Sequence, residues 1–212
     1  MAADLKDIGY KTYALHPYNA KGWCRNKVYP YLGFEEMYFK DAFVAPEKIR
    51  SYISDYSAFS KIIELYEQKD EGSRMFAFEV TMQNHGGYSK DVDGFWERIH
   101  LTDLESKTTS VRAAEKYLTL IKETDSAFEG IVNYFSVQDE KTIILLFGDH
   151  QPSDYINNVF LRLQGIEREG NEEVRFQNYS VPYVIWANYD IDTDKFAQTD
   201  TSLNFLGGRL LD

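Results

Sequence analysis

Thr142-Ile143-Ile144-Leu145-Leu146-Phe147-Gly148-Asp149-His150-Gln151-Pro152 is the stretch that decides the fold class of this chain. Five consecutive apolar residues, with β-branched and aromatic members, predict a strand buried on both faces, as in a parallel sheet covered by helices. The run ends on Gly-Asp-His, and Pro152 stops the backbone from continuing the pairing. In open α/β sheets the ligand lies beyond the carboxyl ends of the strands. A carboxylate and an imidazole delivered there are placed to hold a metal ion. An exposed Asp-His turn fits the same residues, so the other histidine-bearing segments carry weight.

Two segments repeat the pattern. Arg74-Met75-Phe76-Ala77-Phe78-Glu79-Val80 is a mostly apolar β run that breaks into Thr81-Met82-Gln83-Asn84-His85-Gly86-Gly87-Tyr88, a polar, glycine-containing loop. Tyr10 to His16 is a third strand candidate, followed by Pro17-Tyr18 and then Trp23-Cys24-Arg25. Three of the four histidines thus follow strand-like runs. His100 lies in the charged stretch Trp96-Glu97-Arg98-Ile99-His100 and reads as a surface residue.

The remaining periodicities supply helices. Ala2 to Ile8 reads as one short helix closed by Gly9. Ser57 to Gln68 carries Phe59, Ile62, Ile63, Leu65 and Tyr66 at helical spacing. Ser110 to Phe135 predicts one long amphipathic helix, or two joined near Asp125, leading into the Ile143 strand. Strand, helix and second buried strand would make a right-handed crossover unit. Tyr155 to Gln164 reads as a helix, Glu167 to Asn178 as a charged excursion, Val181 to Ala187 as another buried strand, and Thr201 to Leu211 as a helix weakened by Gly207-Gly208.

Composition agrees with one α/β domain: 212 residues, 43% hydrophobic and 16% aromatic, provide for a sizeable core. The net charge of −11 argues against nucleic acid as a partner, because a phosphate backbone calls for a basic surface. The single cysteine, Cys24, excludes an internal disulfide; no base is evident beside it, and it reads as a spectator thiol. No stretch approaches the ~20 apolar residues of a membrane span, and no signal-peptide pattern opens the chain, which reads as soluble.

Taken in order, His16-Pro17-Tyr18, Trp23-x-Arg25, Tyr29-x-x-Leu32-Gly33-Phe34, Thr81-Met82-Gln83-Asn84-His85 and Gly148-Asp149-His150-Gln151-Pro152 resemble the extracellular domain of the lipoteichoic acid synthase-like proteins. Those belong to the sulfatase branch of the alkaline phosphatase superfamily. The resemblance implies an α/β, doubly wound, mostly parallel sheet flanked by helices, with residues 1–212 as the C-terminal major part of one catalytic domain. It also implies that the first strand and the nucleophile segment lie upstream of this chain.

By the same resemblance, Asp149 and His150 match the family's metal-binding pair, with Mn2+ the expected ion and Zn2+, Mg2+ or Ca2+ as alternatives. His85 resembles the histidine that contacts the phosphoryl group, Trp23 and Arg25 the pair lining the glycerol-phosphate pocket, and His16 a histidine near that pocket. Gly87 stands where the family often has proline, and Ser153 or Asp154 where it has a serine after the Asp-His pair. The chemistry is coherent. Phosphoryl transfer rests on charge stabilisation and positioning, Arg25 offers a planar fork for phosphate, and the indole of Trp23 offers an apolar wall for glycerol. Read without the resemblance, Trp23 fits a core position and Arg25 an exposed helix start.

The expected activity of the parent enzyme is phosphoglycerol transfer or phosphate-ester hydrolysis on an anionic membrane lipid or cell-envelope polymer, outside a bacterial cell and anchored through an N-terminal segment. A sulfatase acting on sulfate esters is the alternative within the class, and a non-catalytic module binding anionic glycolipid the alternative outside it. With no nucleophile among these residues, the chain alone is expected to bind metal weakly and not to turn over.

Overall fold

The computed structural model describes residues 1–88, 94–104, 108–167, 170–192 and 200–211. In chain order the elements are α1 (Ala2–Asp7), β1 (Tyr10–His16), α2 (Arg25–Tyr31), β2 (Glu36–Phe39), β3 (Lys48–Ile49), β4 (Tyr52–Ile53), α3 (Asp55–Gln68), β5 (Arg74–Glu79), α4 (Thr109–Ser136), β6 (Ile143–Phe147), α5 (Asp154–Leu163), α6 (Glu172–Gln177), β7 (Tyr183–Ala187) and α7 (Leu203–Leu211).

A parallel sheet ordered β2-β1-β5 is the heart of the fold. Alternation along its strands sends side chains to two helical layers. Ala14, Phe76 and Phe78 meet Ala2, Tyr29 and Phe34 on the α1–α2 side. Tyr13, Leu15, Met75 and Ala77 meet Leu65 of α3 on the other. Helices on both faces of a parallel sheet make the doubly wound arrangement. At Gly33 the backbone takes φ +95°, and an added Cβ would lie 2.5 Å from the backbone of Ala3, so glycine is what lets α1 close over the sheet.

Helices α3, α4 and α6 begin where the sequence supplies side-chain caps. Ser54 accepts from the Ser57 amide at 3.2 Å to start α3, and Thr108 accepts from Val111 at 3.4 Å to start α4. Helix α4 is one uninterrupted element of 28 residues, so no joint forms near Asp125. Within the stretch read as a charged excursion, Asn171 caps α6 by accepting from Val174, and an internal cap with one buried valine suffices for a short helix. The C-terminal helix starts at Leu203 and carries Gly207 and Gly208 inside it.

The Ile143–Phe147 strand does not join the parallel sheet that its apolar run predicts. β6 pairs antiparallel with β7, from Ile143 opposite Ala187 to Phe147 opposite Tyr183. Among the described residues the two form a sheet of their own, and no β5–α4–β6 crossover closes within one sheet. Nor is β6 buried on both faces. Ile144 and Leu146 pack with Trp186 against Phe59 of α3 and Ile131 and Phe135 of α4, while Ile143 and Phe147 remain 38% and 36% exposed. An unbroken apolar run reads the same whether a strand's neighbour is parallel or antiparallel. Ile62 of α3 packs in both the β6 cluster and the β1–β5 cluster, so the two sheets share one helical layer.

Candidate functional site

β1 and β5 are parallel neighbours, so their carboxyl ends fall at one sheet edge, the position where α/β sheets bind ligands. His16 ends β1, and the loop after β5 carries His85. Between them the chain folds back twice. A single 3-10 turn, Gly22–Cys24, holds Trp23 and Cys24 in the left-handed region at φ 51° and 55°. The β3–β4 hairpin holds Arg50 at φ 57°. Side chains other than glycine rarely adopt this conformation, and such strain collects at functional sites because surrounding contacts must enforce it.

These turns bring the aromatic rings together. Trp23 stands edge-on to His16 at 5.8 Å and to His85 at 6.1 Å between ring centres. The Arg25 guanidinium lies 4.7 Å over the Trp23 ring. Tyr18 and Tyr52 complete the group, 6.0 Å apart, and Tyr52 lies 5.7 Å from His85. Trp23 is 58% exposed, so it is not a core residue, and His85 is exposed beside it.

His16 is fully buried beneath the indole. Its Nδ1 donates to the Val80 carbonyl at 2.7 Å, which leaves Nε2 an acceptor, shut off from solvent and without a partner. Burial, with a smaller contribution from the Arg25 charge, lowers its pKa below the usual histidine value against the opposing Val80 hydrogen bond. The ring is therefore neutral at physiological pH. As placed, it props Trp23 from below.

The Thr81-Met82-Gln83-Asn84-His85 motif has a structural logic. Met82 and Gln83 are buried. The Gln83 side chain accepts from the Asp55 amide at 2.9 Å and donates to Thr124 at 3.2 Å. Asn84 donates to Thr124 at 2.8 Å, and Thr124 donates to the Asp55 carboxylate at 2.6 Å. One polar knot thus ties the His85 loop to the start of α3 and the middle of α4. Buried knots of this kind fix a single loop conformation because each unpaired member is costly.

Arg50 and Tyr52 join the site without having been read from sequence. Arg50 donates to the carbonyls of Gln83 at 2.9 Å and His85 at 2.7 Å, and its guanidinium lies 4.8 Å over Tyr88. The Tyr52 hydroxyl lies 3.2 Å from His85 Nδ1. Two-residue hairpins usually advertise themselves with Asn-Gly or Gly-X, whereas here Arg50-Ser51 fills the turn, so no turn signal was available.

Asp149 and His150 lie at the carboxyl end of β6, both exposed, with Asp149 Oδ2 3.6 Å from His150 Nε2. His150 Nδ1 donates to the Gln151 carbonyl at 2.8 Å, which leaves Nε2 free to accept. A carboxylate oxygen and an imidazole lone pair at that separation fit two positions on a hard or borderline divalent ion. Among the described residues no cluster of three or more His, Cys, Asp or Glu forms a fuller donor set. His100 is exposed, 3.7 Å from Glu115 and apart from these groups.

The family profile described as Sulfatase matches residues 1–212. A Rhizobium meliloti protein assigned to cyclic beta-1,2-glucan modification is 27% identical over 193 residues, 89% of this chain and 29% of that protein. The phosphoglycerol transferase GacH of Streptococcus pyogenes, solved with sn-glycerol-1-phosphate, superposes with a TM-score of 0.58 at 22% identity, over 85% of this chain and 44% of that one. The lipoteichoic acid synthase LtaP of Listeria monocytogenes gives 0.68 at 19% identity, over 87% and 45%. The solved structures establish an alkaline-phosphatase-like α/β fold, and this chain spans less than half the length of each of these three proteins.

Proposed function

This chain belongs to the sulfatase family, and on that premise we propose that it is part of a metal-dependent enzyme that transfers or hydrolyses a phosphoglycerol group on a cell-envelope lipid or polymer. The observation that carries the proposal is the grouping of Trp23, Arg25 and His85 over buried His16 at the carboxyl end of the parallel sheet. In a chain of net charge −11, a guanidinium and an imidazole on an exposed aromatic platform form a local site for an anion with an apolar stem.

The family resemblance suggests a role for each residue, and the grouping supports it. Arg25 supplies donors to phosphate oxygens, and its Nε is a buried donor without a protein partner. Trp23 gives the glycerol carbons a wall. His85 donates to the phosphoryl group. A divalent ion on the Asp149 carboxylate and His150 Nε2, Mn2+ by the family resemblance, would supply Lewis-acid stabilisation of phosphoryl charge. The remaining donors and the nucleophile are assigned to polypeptide outside these residues.

The test is titration of the chain with sn-glycerol-1-phosphate, inorganic phosphate and inorganic sulfate, followed by calorimetry and by 15N shifts of the histidines. The glycerol ester binds more tightly than either inorganic anion, Trp23→Ala removes that preference, and Arg25→Ala weakens all three by about ten- to a hundredfold, the worth of a charged hydrogen bond. Equal binding of all three by wild type and Trp23→Ala would refute the glycerol-phosphate reading. A preference for sulfate would move the assignment to sulfate esters.

A further inference from the structure

We propose that the β3–β4 hairpin is the positioning element for His85: the Tyr52 hydroxyl donates to Nδ1 and so fixes the tautomer that carries its proton on Nε2, while Arg50 holds the backbone of the loop. The inference rests on the reading of His85 as a donor to an anion and adds two residues to it.

A neutral imidazole has one donor and one acceptor nitrogen, and only the donor suits an anion. If Nδ1 kept the proton, Nε2 would present a lone pair to a phosphate oxygen and repel it. The hydroxyl 3.2 Å from Nδ1 decides between the two states, since whichever atom it pairs with must complement its own proton. The Arg50 guanidinium, 5.6 Å from the Tyr52 ring centre, makes that phenol a better donor than acceptor, because a nearby positive charge favours withdrawal of electron density from the O–H bond. The hydroxyl therefore donates a hydrogen bond to the unprotonated Nδ1, and the imidazole proton sits on Nε2.

Arg50 supplies the second constraint. Its terminal nitrogen bridges the carbonyls of Gln83 and His85, two residues of the loop whose other anchors are the buried Gln83 and half-buried Asn84 side chains. The backbone strain at Arg50, φ 57°, is enforced by this bridge and by the cation–π contact with Tyr88 at 4.8 Å. Orientation of the ring and choice of tautomer thus come from one hairpin, as second partners do for metal-binding and catalytic histidines. Neither residue touches the anion in this scheme; both act through His85.

The experiment uses the 212-residue chain and inorganic phosphate. Long-range 1H–15N spectra of wild type show a protonated Nε2 and a hydrogen-bonded, unprotonated Nδ1 on His85. In Tyr52→Phe the Nδ1 resonance moves to that of a nitrogen without a hydrogen bond, and phosphate binding weakens about three- to tenfold, the worth of one neutral hydrogen bond. In a His85→Gln background the same Tyr52→Phe change has no further effect on binding, which a merely structural tyrosine would not produce. Detection of the proton on Nδ1 in wild type overturns the proposal. So does an equal loss of affinity in both backgrounds, or an unmoved Nδ1 resonance in Tyr52→Phe. If wild type does not bind phosphate at all, the anion site fails, and the Nδ1 resonance still decides the Tyr52–His85 pairing.

Discussion

Replacement of Glu79 by methionine should stabilise this protein, and the gain should grow with pH. Glu79 ends β5 on the α3 side of the sheet, and both of its carboxylate oxygens are shut off from solvent with no hydrogen-bond partner, although the residue as a whole is half-buried. Burial, and then the neighbouring Asp55 charge, raises its pKa well above the ordinary 4.5. The sign follows from proton linkage. The folded state holds this proton more tightly than the unfolded chain, so the contribution to stability is present below the unfolded value and is lost as pH rises through the folded one. Two unpartnered acceptors cost about 1–3 kcal/mol each, and imperfect fit of a thioether offsets about 1 kcal/mol of that, which leaves a net gain of about 1–5 kcal/mol near neutrality. Each kcal/mol corresponds to roughly 2–4 °C in Tm for a chain of this size. Urea unfolding of wild type and Glu79→Met at pH 5, 6.5 and 8 reads the effect. A destabilised variant, or a gain that is the same at all three pH values, would refute the reasoning.

Two other outcomes follow from the structure. Gly33→Ala forces a Cβ to within 2.5 Å of the Ala3 backbone at a positive φ, so it should cost about 1–3 kcal/mol or more in urea unfolding, and a variant as stable as wild type would show that α1 does not close against this turn. Mn2+ added to the chain should bind weakly and be displaced by chelator without unfolding, and Asp149→Ala should abolish the binding seen by electron paramagnetic resonance; undiminished binding in that variant would place the ion elsewhere.

The sequence by itself determined most of the helices and the strands β1, β5, β6 and β7. Local periodicity reports burial, so α3, α4, β5 and β6 are legible to within a few residues, and the strand–loop–histidine pattern marks the carboxyl ends of β1, β5 and β6. It also offered Trp23, Arg25, His16 and His85 as candidates, because their order along the chain resembles a family. What it did not contain was partnership. Ile143–Phe147 presents the same five apolar residues to a parallel or an antiparallel neighbour, and only the tertiary structure paired it with Tyr183–Ala187 and left one face partly open. Glu79 reads as an ordinary strand residue until packing seals its oxygens. Arg50 and Tyr52 were invisible for the same reason. Their hairpin lacks the usual turn residues, and their meaning lies in carbonyls and a ring nitrogen more than thirty positions away. Backbone propensity and hydrophobic period are properties of neighbours along the chain, whereas the proton position on a histidine is set by whichever atom the fold brings within 3.2 Å of it.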